Sequence, residues 1–123
     1  MKKILTVIIA LFNFVCCSNE AWTDLQPNEF ENYILKKDVQ LVDVRSAEEF
    51  EEGYINGALN IDFRKDDFLK QAELQLNKEK PVALYCRTGR RSKNAAKQLT
   101  KIGFKTVVNL DGGYLGWKAA GKL

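Results

Sequence analysis

Apolar residues along this chain fall into short blocks whose period keeps switching between that of a helix and that of a strand. Over Pro27 to Lys36, Phe30, Tyr33 and Ile34 recur at helical spacing, and Pro27 suits a first helical turn. Val39 to Val44 is a compact apolar run and predicts a strand. Acidic Ala47 to Glu52 predicts a helical turn or two, and Gly53 and Gly57 punctuate a loop. Ala58 to Ile61 predicts a short strand. Asp66 to Leu76 predicts a helix, with Phe68, Leu69, Ala72 and Leu76 along one stripe. Pro81 to Tyr85 predicts a buried strand. Ser92 to Lys101 predicts a helix with Ala95, Ala96 and Leu99 on one face, stopped by Gly103. Thr106 to Leu110 is β-branched and apolar, hence a strand. Gly112-Gly113 turns the chain, and Tyr114 to Ala120 predicts a last short helix. Strands alternating with helices over this length predict an α/β layered fold with a mainly parallel sheet.

The start of the chain breaks this alternation. Lys2 and Lys3 form a basic head, and Ile4 to Val15 is an unbroken apolar run apart from Thr6 and Asn13. A spanning helix needs about 18 apolar residues. The layout predicts a secretory signal over residues 1–18, a short polar spacer over 19–24 and a folded domain over 25–123. Cys16-Cys17-Ser18 closes the signal. A lipoprotein signal modifies a cysteine at this place, which makes Cys17 or Cys16 the attachment point, although the usual small residue before it is missing. Lipid attachment and plain cleavage both stay open. Either way the protein is expected to be exported, periplasmic or lipid-anchored to a bacterial membrane.

Composition narrows the chemistry. The 123 residues allow one domain, and 46% hydrophobic residues suffice for a core. The net charge is +3, and without Lys2 and Lys3 the remainder carries 17 basic and 16 acidic residues. That balance gives a nucleic-acid role no support. Of three cysteines, two sit at the signal boundary and Cys86 alone falls in the folded part, so no internal disulfide framework is expected. There is no histidine. No metal and no cofactor is expected, and no Cys-His pair can activate a thiol.

Cys86 therefore draws attention to its neighbours. The run Cys86-Arg87-Thr88-Gly89-Arg90-Arg91 joins the strand ending at Tyr85 to the following helix. The first N–H groups of a helix point at whatever occupies such a turn. Three arginines and a flexible glycine share it. Fixed donors and cations of this kind favour a thiolate and hold anions. In parallel sheets ligands bind beyond the carboxyl ends of strands. Cys86 lies at such an end, and so do Asp43 and Arg45, so the two segments are candidates for one site.

Three segments resemble the signatures of single-domain rhodaneses, a family of sulfurtransferases, and the resemblance spans about Trp22 to Lys122. The first is Asp43-Val44-Arg45 with Glu49-Phe50, Gly53-Tyr54-Ile55, Gly57-Ala58 and Asn60-Ile61. The second is Cys86 to Ser92, and the third is Leu110-Asp111-Gly112-Gly113 with Trp117. Tyr54 departs from the histidine common there. The resemblance implies a five-stranded parallel sheet with helices on both faces. It also implies that Cys86 takes sulfur from a small anionic donor, thiosulfate or polysulfide, as a persulfide. The sulfur then passes to a thiol, cyanide or a protein acceptor.

The residues suit that chemistry. An anionic donor must meet a thiolate, and backbone N–H groups of the Arg87, Thr88, Gly89, Arg90 and Arg91 turn can offset the repulsion. Gly89 permits the backbone shape that aims several of them inward. Arg87 and Arg90 are expected at the mouth. Arg91 is expected to turn inward and pair with Asp43, and Arg45 to pair with Glu49 one turn on. Asp43 also reads as an ordinary loop cap. Gly112, Gly113 and Trp117 read as turn and core, Tyr85 and Phe63 as packing. Two rival functions remain: a persulfide carrier or protein-binding module, and a phosphatase or arsenate reductase of related fold. Cradles of the latter are one residue longer, whereas four residues separate Cys86 from Arg91 here.

Overall fold

A computed structural model describes residues 22–123. The signal reading of residues 1–18, with Cys16 and Cys17, lies outside the described residues. Among these, β1 (Trp22–Leu25), β2 (Gln40–Asp43), β3 (Leu59–Asn60), β4 (Val82–Tyr85) and β5 (Val107–Leu110) form one parallel sheet. Its order is β1-β5-β4-β2-β3. The helices are α1 (Pro27–Ile34), α2 (Ala47–Glu52), α3 (Phe68–Gln75), α4 (Arg90–Lys101) and α5 (Gly113–Ala119). The expected five-stranded parallel α/β architecture is the one found.

One boundary needs correction. Trp22, Thr23 and Asp24, expected in the spacer, form β1 together with Leu25. They pair with Val107, Val108, Asn109 and Leu110 at one edge of the sheet. An edge strand is half solvated, and Thr23 and Asp24 are exposed, so the apolar run that marks a buried strand is missing. Backbone pairing with β5, not side-chain pattern, places this segment.

Alternation along the strands divides the core. Val42, Val44, Val82, Leu84, Cys86 and Val107 face one way, onto Phe68 and Ala72 of α3 and Ala95, Ala96 and Leu99 of α4. Leu41, Ala83, Tyr85, Val108 and Leu110 face the other way, onto Phe30 of α1 and Tyr114 and Trp117 of α5. Each fully buried Val or Leu, such as Val82, Leu84 or Leu99, stabilises the fold by about 1.5–3 kcal/mol. Phe30 and Trp117 meet edge to face at 6.1 Å. Cys86 thus points towards α3 and α4, while its neighbour Tyr85 points towards α5. This parity decides which side chains can meet at the site.

Candidate active site

β4 is the middle strand, and the chain leaves its carboxyl end through Cys86 and turns into α4. Gly89 is the last residue before α4 and adopts φ +105°, which a side chain would strain. That conformation aims the Gly89 N–H at the Cys86 Sγ, 3.0 Å away. The Ser92 hydroxyl lies 3.3 Å from the same sulfur and 3.2 Å from the Gly89 carbonyl. Its single proton can serve one of them at a time. Among the described residues, no acceptor takes the N–H groups of Arg87, Thr88, Arg90 or Arg91. Cys86, 1% exposed, therefore sits at the floor of a loop with donors to spare. α4 begins at Arg90 rather than Ser92, which moves Ser92 inside the first turn and turns its hydroxyl inward.

The loop is braced from behind by α5. The Tyr114 N–H donates to the Cys86 carbonyl at 2.8 Å, and the Leu115 N–H donates to the Arg87 carbonyl at 3.1 Å. These bonds bring two backbones together where Gly113 stands. A Cβ on Gly113 would lie 2.5 Å from the Arg87 carbonyl oxygen and 2.7 Å from that of Cys86. Gly113, read from sequence as part of a turn, is a residue that sets the position of the cysteine loop.

The two expected ion pairs are exchanged. Arg91 does not pair with Asp43; its guanidinium binds Glu49 through two bonds of 3.0 and 3.2 Å. Arg45 does not pair with Glu49; it binds Asp43, with an Nη2 to Oδ2 distance of 2.7 Å. Strand parity is the reason. Asp43 pairs in register with Tyr85 and shares its face, whereas Arg91 belongs to α4 on the face of Cys86. Asp43 and Arg45 stand two apart on one face and close on each other.

Both pairs are firmly held. The Asp43 carboxylate also accepts the Arg45 N–H at 2.8 Å, and Arg45 Nη2 donates to the Gly53 carbonyl at 2.6 Å. Burial works against the charged Arg45, but Asp43 outweighs it and the guanidinium pKa is raised. Its plane sits 4.3 Å from the Tyr114 ring centre and 5.7 Å from that of Tyr85. Burial pushes the Tyr85 phenol well above its ordinary range, so it stays a neutral hydroxyl and accepts the Ile55 N–H at 2.9 Å. On the other face, Arg91 holds the Glu49 carboxyl down at about 2 against the effect of burial, helped by Ser46. Ser46 and Glu49 form a capping box at the start of α2. The same glutamate thus starts α2 and anchors α4 beside the sulfur, and Arg91 is within electrostatic reach of Cys86.

Arg87 and Arg90 are both exposed at the rim, on different sides. Arg87 lines a cleft of about 310 Å³ with Arg45, Glu49, Glu52, Tyr114 and Lys118. Arg90 lines a groove of about 500 Å³ with Trp22, Thr88, Gly89, Lys93 and Lys97. Cys86 lines neither; its loop is the ridge between them. Of the candidate residues, the structure brings Arg87, Thr88, Gly89, Arg90 and Arg91 around Cys86. It puts Asp43 on the opposite face of the sheet, where it holds Arg45, which lies over Tyr114 of α5 and reaches the Arg87 cleft. Ser92, Glu49 and Gly113 complete the site. The sequence carried a signal for Glu49, since Ser46-Ala47-Glu48-Glu49 has capping-box spacing. For Gly113 the signal was a second glycine in a turn that needs one.

The model of the rhodanese-like domain family matches residues 26–120. A thiosulfate sulfurtransferase GlpE of Coxiella burnetii (strain RSA 331 / Henzerling II) is 38% identical over 86 residues, 70% of this chain and 78% of that protein. A protein of the same name from Shewanella oneidensis is 35% identical over 97 residues, 78% of this chain and 92% of its own. The crystal structure of a rhodanese-like domain protein from Staphylococcus aureus matches with a TM-score of 0.67 at 32% identity, over 77% of this chain and 90% of that one.

Proposed function

This chain belongs to the rhodanese-like domain family, and from that premise we propose that it is a thiosulfate or polysulfide sulfurtransferase working through a Cys86 persulfide. The observation that carries the reading is the buried sulfur at the start of the 86–91 loop, already accepting the Gly89 N–H in a loop whose other N–H groups have no acceptor among the described residues. In the first step the Cys86 thiolate attacks the outer sulfur of thiosulfate. The S–S bond of the donor breaks, and sulfite leaves with the electron pair. The loop N–H groups and the start of α4 hold the negative charge that collects there. The Ser92 proton turns from the Gly89 carbonyl to the sulfur when that sulfur is anionic. In the second step an acceptor thiolate or cyanide attacks the outer sulfur of the persulfide, and Cys86 returns as thiolate. Arg87 and Arg90 draw the anions to the rim. The names of the Coxiella and Shewanella relatives point to the same donor. Lys2, Lys3 and the apolar run to Val15 support export, with a lipid on Cys17 or Cys16 as one form of it.

Intact-mass measurement of the protein after incubation with thiosulfate, beside Cys86→Ser, tests this. The expected result is one added sulfur on the wild type alone, removed by cyanide with release of thiocyanate. A folded wild type that gains no sulfur from thiosulfate or polysulfide would overturn the reading, and turnover of a phosphate ester or arsenate would replace it.

A further inference from the structure

α4 reads Arg90-Arg91-Ser92-Lys93-Asn94-Ala95-Ala96-Lys97-Gln98-Leu99-Thr100-Lys101 and contains no acidic residue. Its inner face is Ser92, Ala95, Ala96 and Leu99, all buried. At 3.6 residues per turn, Arg90, Lys93, Lys97 and Lys101 align on the outer face, and all are exposed. This row starts at the cysteine loop and runs down the helix. Its upper part walls the groove that Trp22, Thr88 and Gly89 complete, and among the described residues no carboxylate lines that groove. Among the described residues, Lys93 reaches Asp24 at 3.7 Å, while Arg90, Lys97 and Lys101 make no ion pair.

The arrangement is costly to the helix. Lys93, Lys97 and Lys101 repel one another at a spacing of four, and Arg90, Arg91 and Lys93 crowd the positive end of the helix dipole. Glu49 offsets Arg91 and Asp24 reaches Lys93, but among the described residues no carboxylate pairs with Arg90, Lys97 or Lys101. A cost of this kind is recovered when an anionic partner binds. The groove is concave, and the outer face of α4 carries no apolar side chain, while Trp22 at the side of the groove is half-buried. Both features favour an extended acidic segment of a protein over a flat anionic membrane.

We propose that the outer face of α4 and the Trp22–Lys97 groove dock an acidic protein segment that brings its own cysteine thiol to the Cys86 loop as the sulfur acceptor. This deepens the sulfurtransferase reading and rests on it for the transfer step. The acceptor thiolate attacks the outer sulfur of the Cys86 persulfide. The persulfide bond breaks, Cys86 leaves as thiolate, and the acceptor cysteine becomes the persulfide.

Three synthetic peptides test the proposal, each with one cysteine flanked by glutamates, serines or lysines. The persulfide-loaded protein is mixed with each, and loss of its sulfur is followed by intact mass. The glutamate peptide is expected to be discharged about tenfold faster than the serine peptide at low salt, with the advantage lost by about 0.5 M salt. K97E/K101E should remove that advantage while leaving discharge by cyanide unchanged, and K36E/K37E, just beyond the end of α1, should retain it. An advantage that survives K97E/K101E, or a serine peptide as fast as the glutamate one, would overturn the proposal. So would K97E/K101E abolishing binding to anionic lipid vesicles with no effect on the peptides. A labelled glutamate peptide with serine in place of its cysteine reads the surface without the chemistry, by fluorescence anisotropy. Binding lost in K97E/K101E, in a protein that never forms a persulfide, would keep the docking surface and sink the transfer reading.

Discussion

Replacing Gly113 by alanine examines how rigidly α5 holds the cysteine loop. Gly113 has φ +61°, and a Cβ there would stand 2.5 Å from the Arg87 carbonyl oxygen, 2.6 Å from its carbon and 2.7 Å from the Cys86 oxygen. These are backbone atoms, so no side chain can swing aside. An ordinary C···O approach is about 3.3 Å, which asks for a displacement of about 0.8 Å between α5 and the loop. Gly112 supplies the control. It too has positive φ, +83°, but its added Cβ meets nothing nearer than the Gly116 Cα at 3.7 Å. Gly112→Ala should therefore lose about 1–2 kcal/mol for backbone conformation alone. Gly113→Ala should lose about 2–5 kcal/mol, because overpacking adds to the same strain. A loop displaced by about 1 Å should also slow sulfur uptake by about 10²-fold. Urea unfolding and the rate of sulfur addition by mass, scaled to the folded fraction, read both quantities. Equal stability and equal rates in the two variants would refute the claim that the Gly113 contact positions Cys86.

Three further outcomes are expected. Glu49 is held at about 2 by Arg91, below its ordinary 4.5, so it contributes stability that is full above about 4.5 and lost as pH falls towards 2. In Glu49→Gln that acid-side slope should flatten, with a loss at neutral pH on the order of 2–3 kcal/mol, read by thermal unfolding across pH. Asp43→Ala should cost about 3–5 kcal/mol in urea unfolding by stranding buried Arg45, whereas D43L/R45M should come close to wild type. Ser92→Ala removes the hydroxyl 3.3 Å from the sulfur and should slow sulfur uptake by about tenfold or more in a stopped assay, with little change in the unfolding midpoint.

Much of this molecule is local in origin, and that part could be read from the sequence. Leu41–Val44, Val82–Tyr85 and Val107–Leu110 are buried on both faces, so the composition of the runs that hold them announces strands. The cysteine turn joins such a strand to a helix with a polar outer face and a small-residue inner face, so its position followed from its neighbours. β1 escaped because Thr23 and Asp24 meet water, and its place depends on β5, far along the chain. The ion pairs were exchanged because their assignment needs the register of β2 against β4, which sets Asp43 beside Tyr85 rather than beside Cys86. Gly113 was underestimated because its partner is a carbonyl of a distant loop, and no side-chain pattern encodes that distance.

The sheet order has a consequence for the sequence of events in which this protein assembles. β1 comes first among the described elements and pairs with β5, and the Cys86 loop gains two backbone bonds from Tyr114 and Leu115 in α5. During synthesis from the amino end, both β1 and the cysteine loop must wait for β5 and α5 to emerge. Until then Cys86 sits in a turn without its brace. On the proposed sulfurtransferase reading, the Cys86 loop gains its brace in the same late stage that closes the edge of the sheet, so completion of the fold and onset of sulfur transfer would coincide.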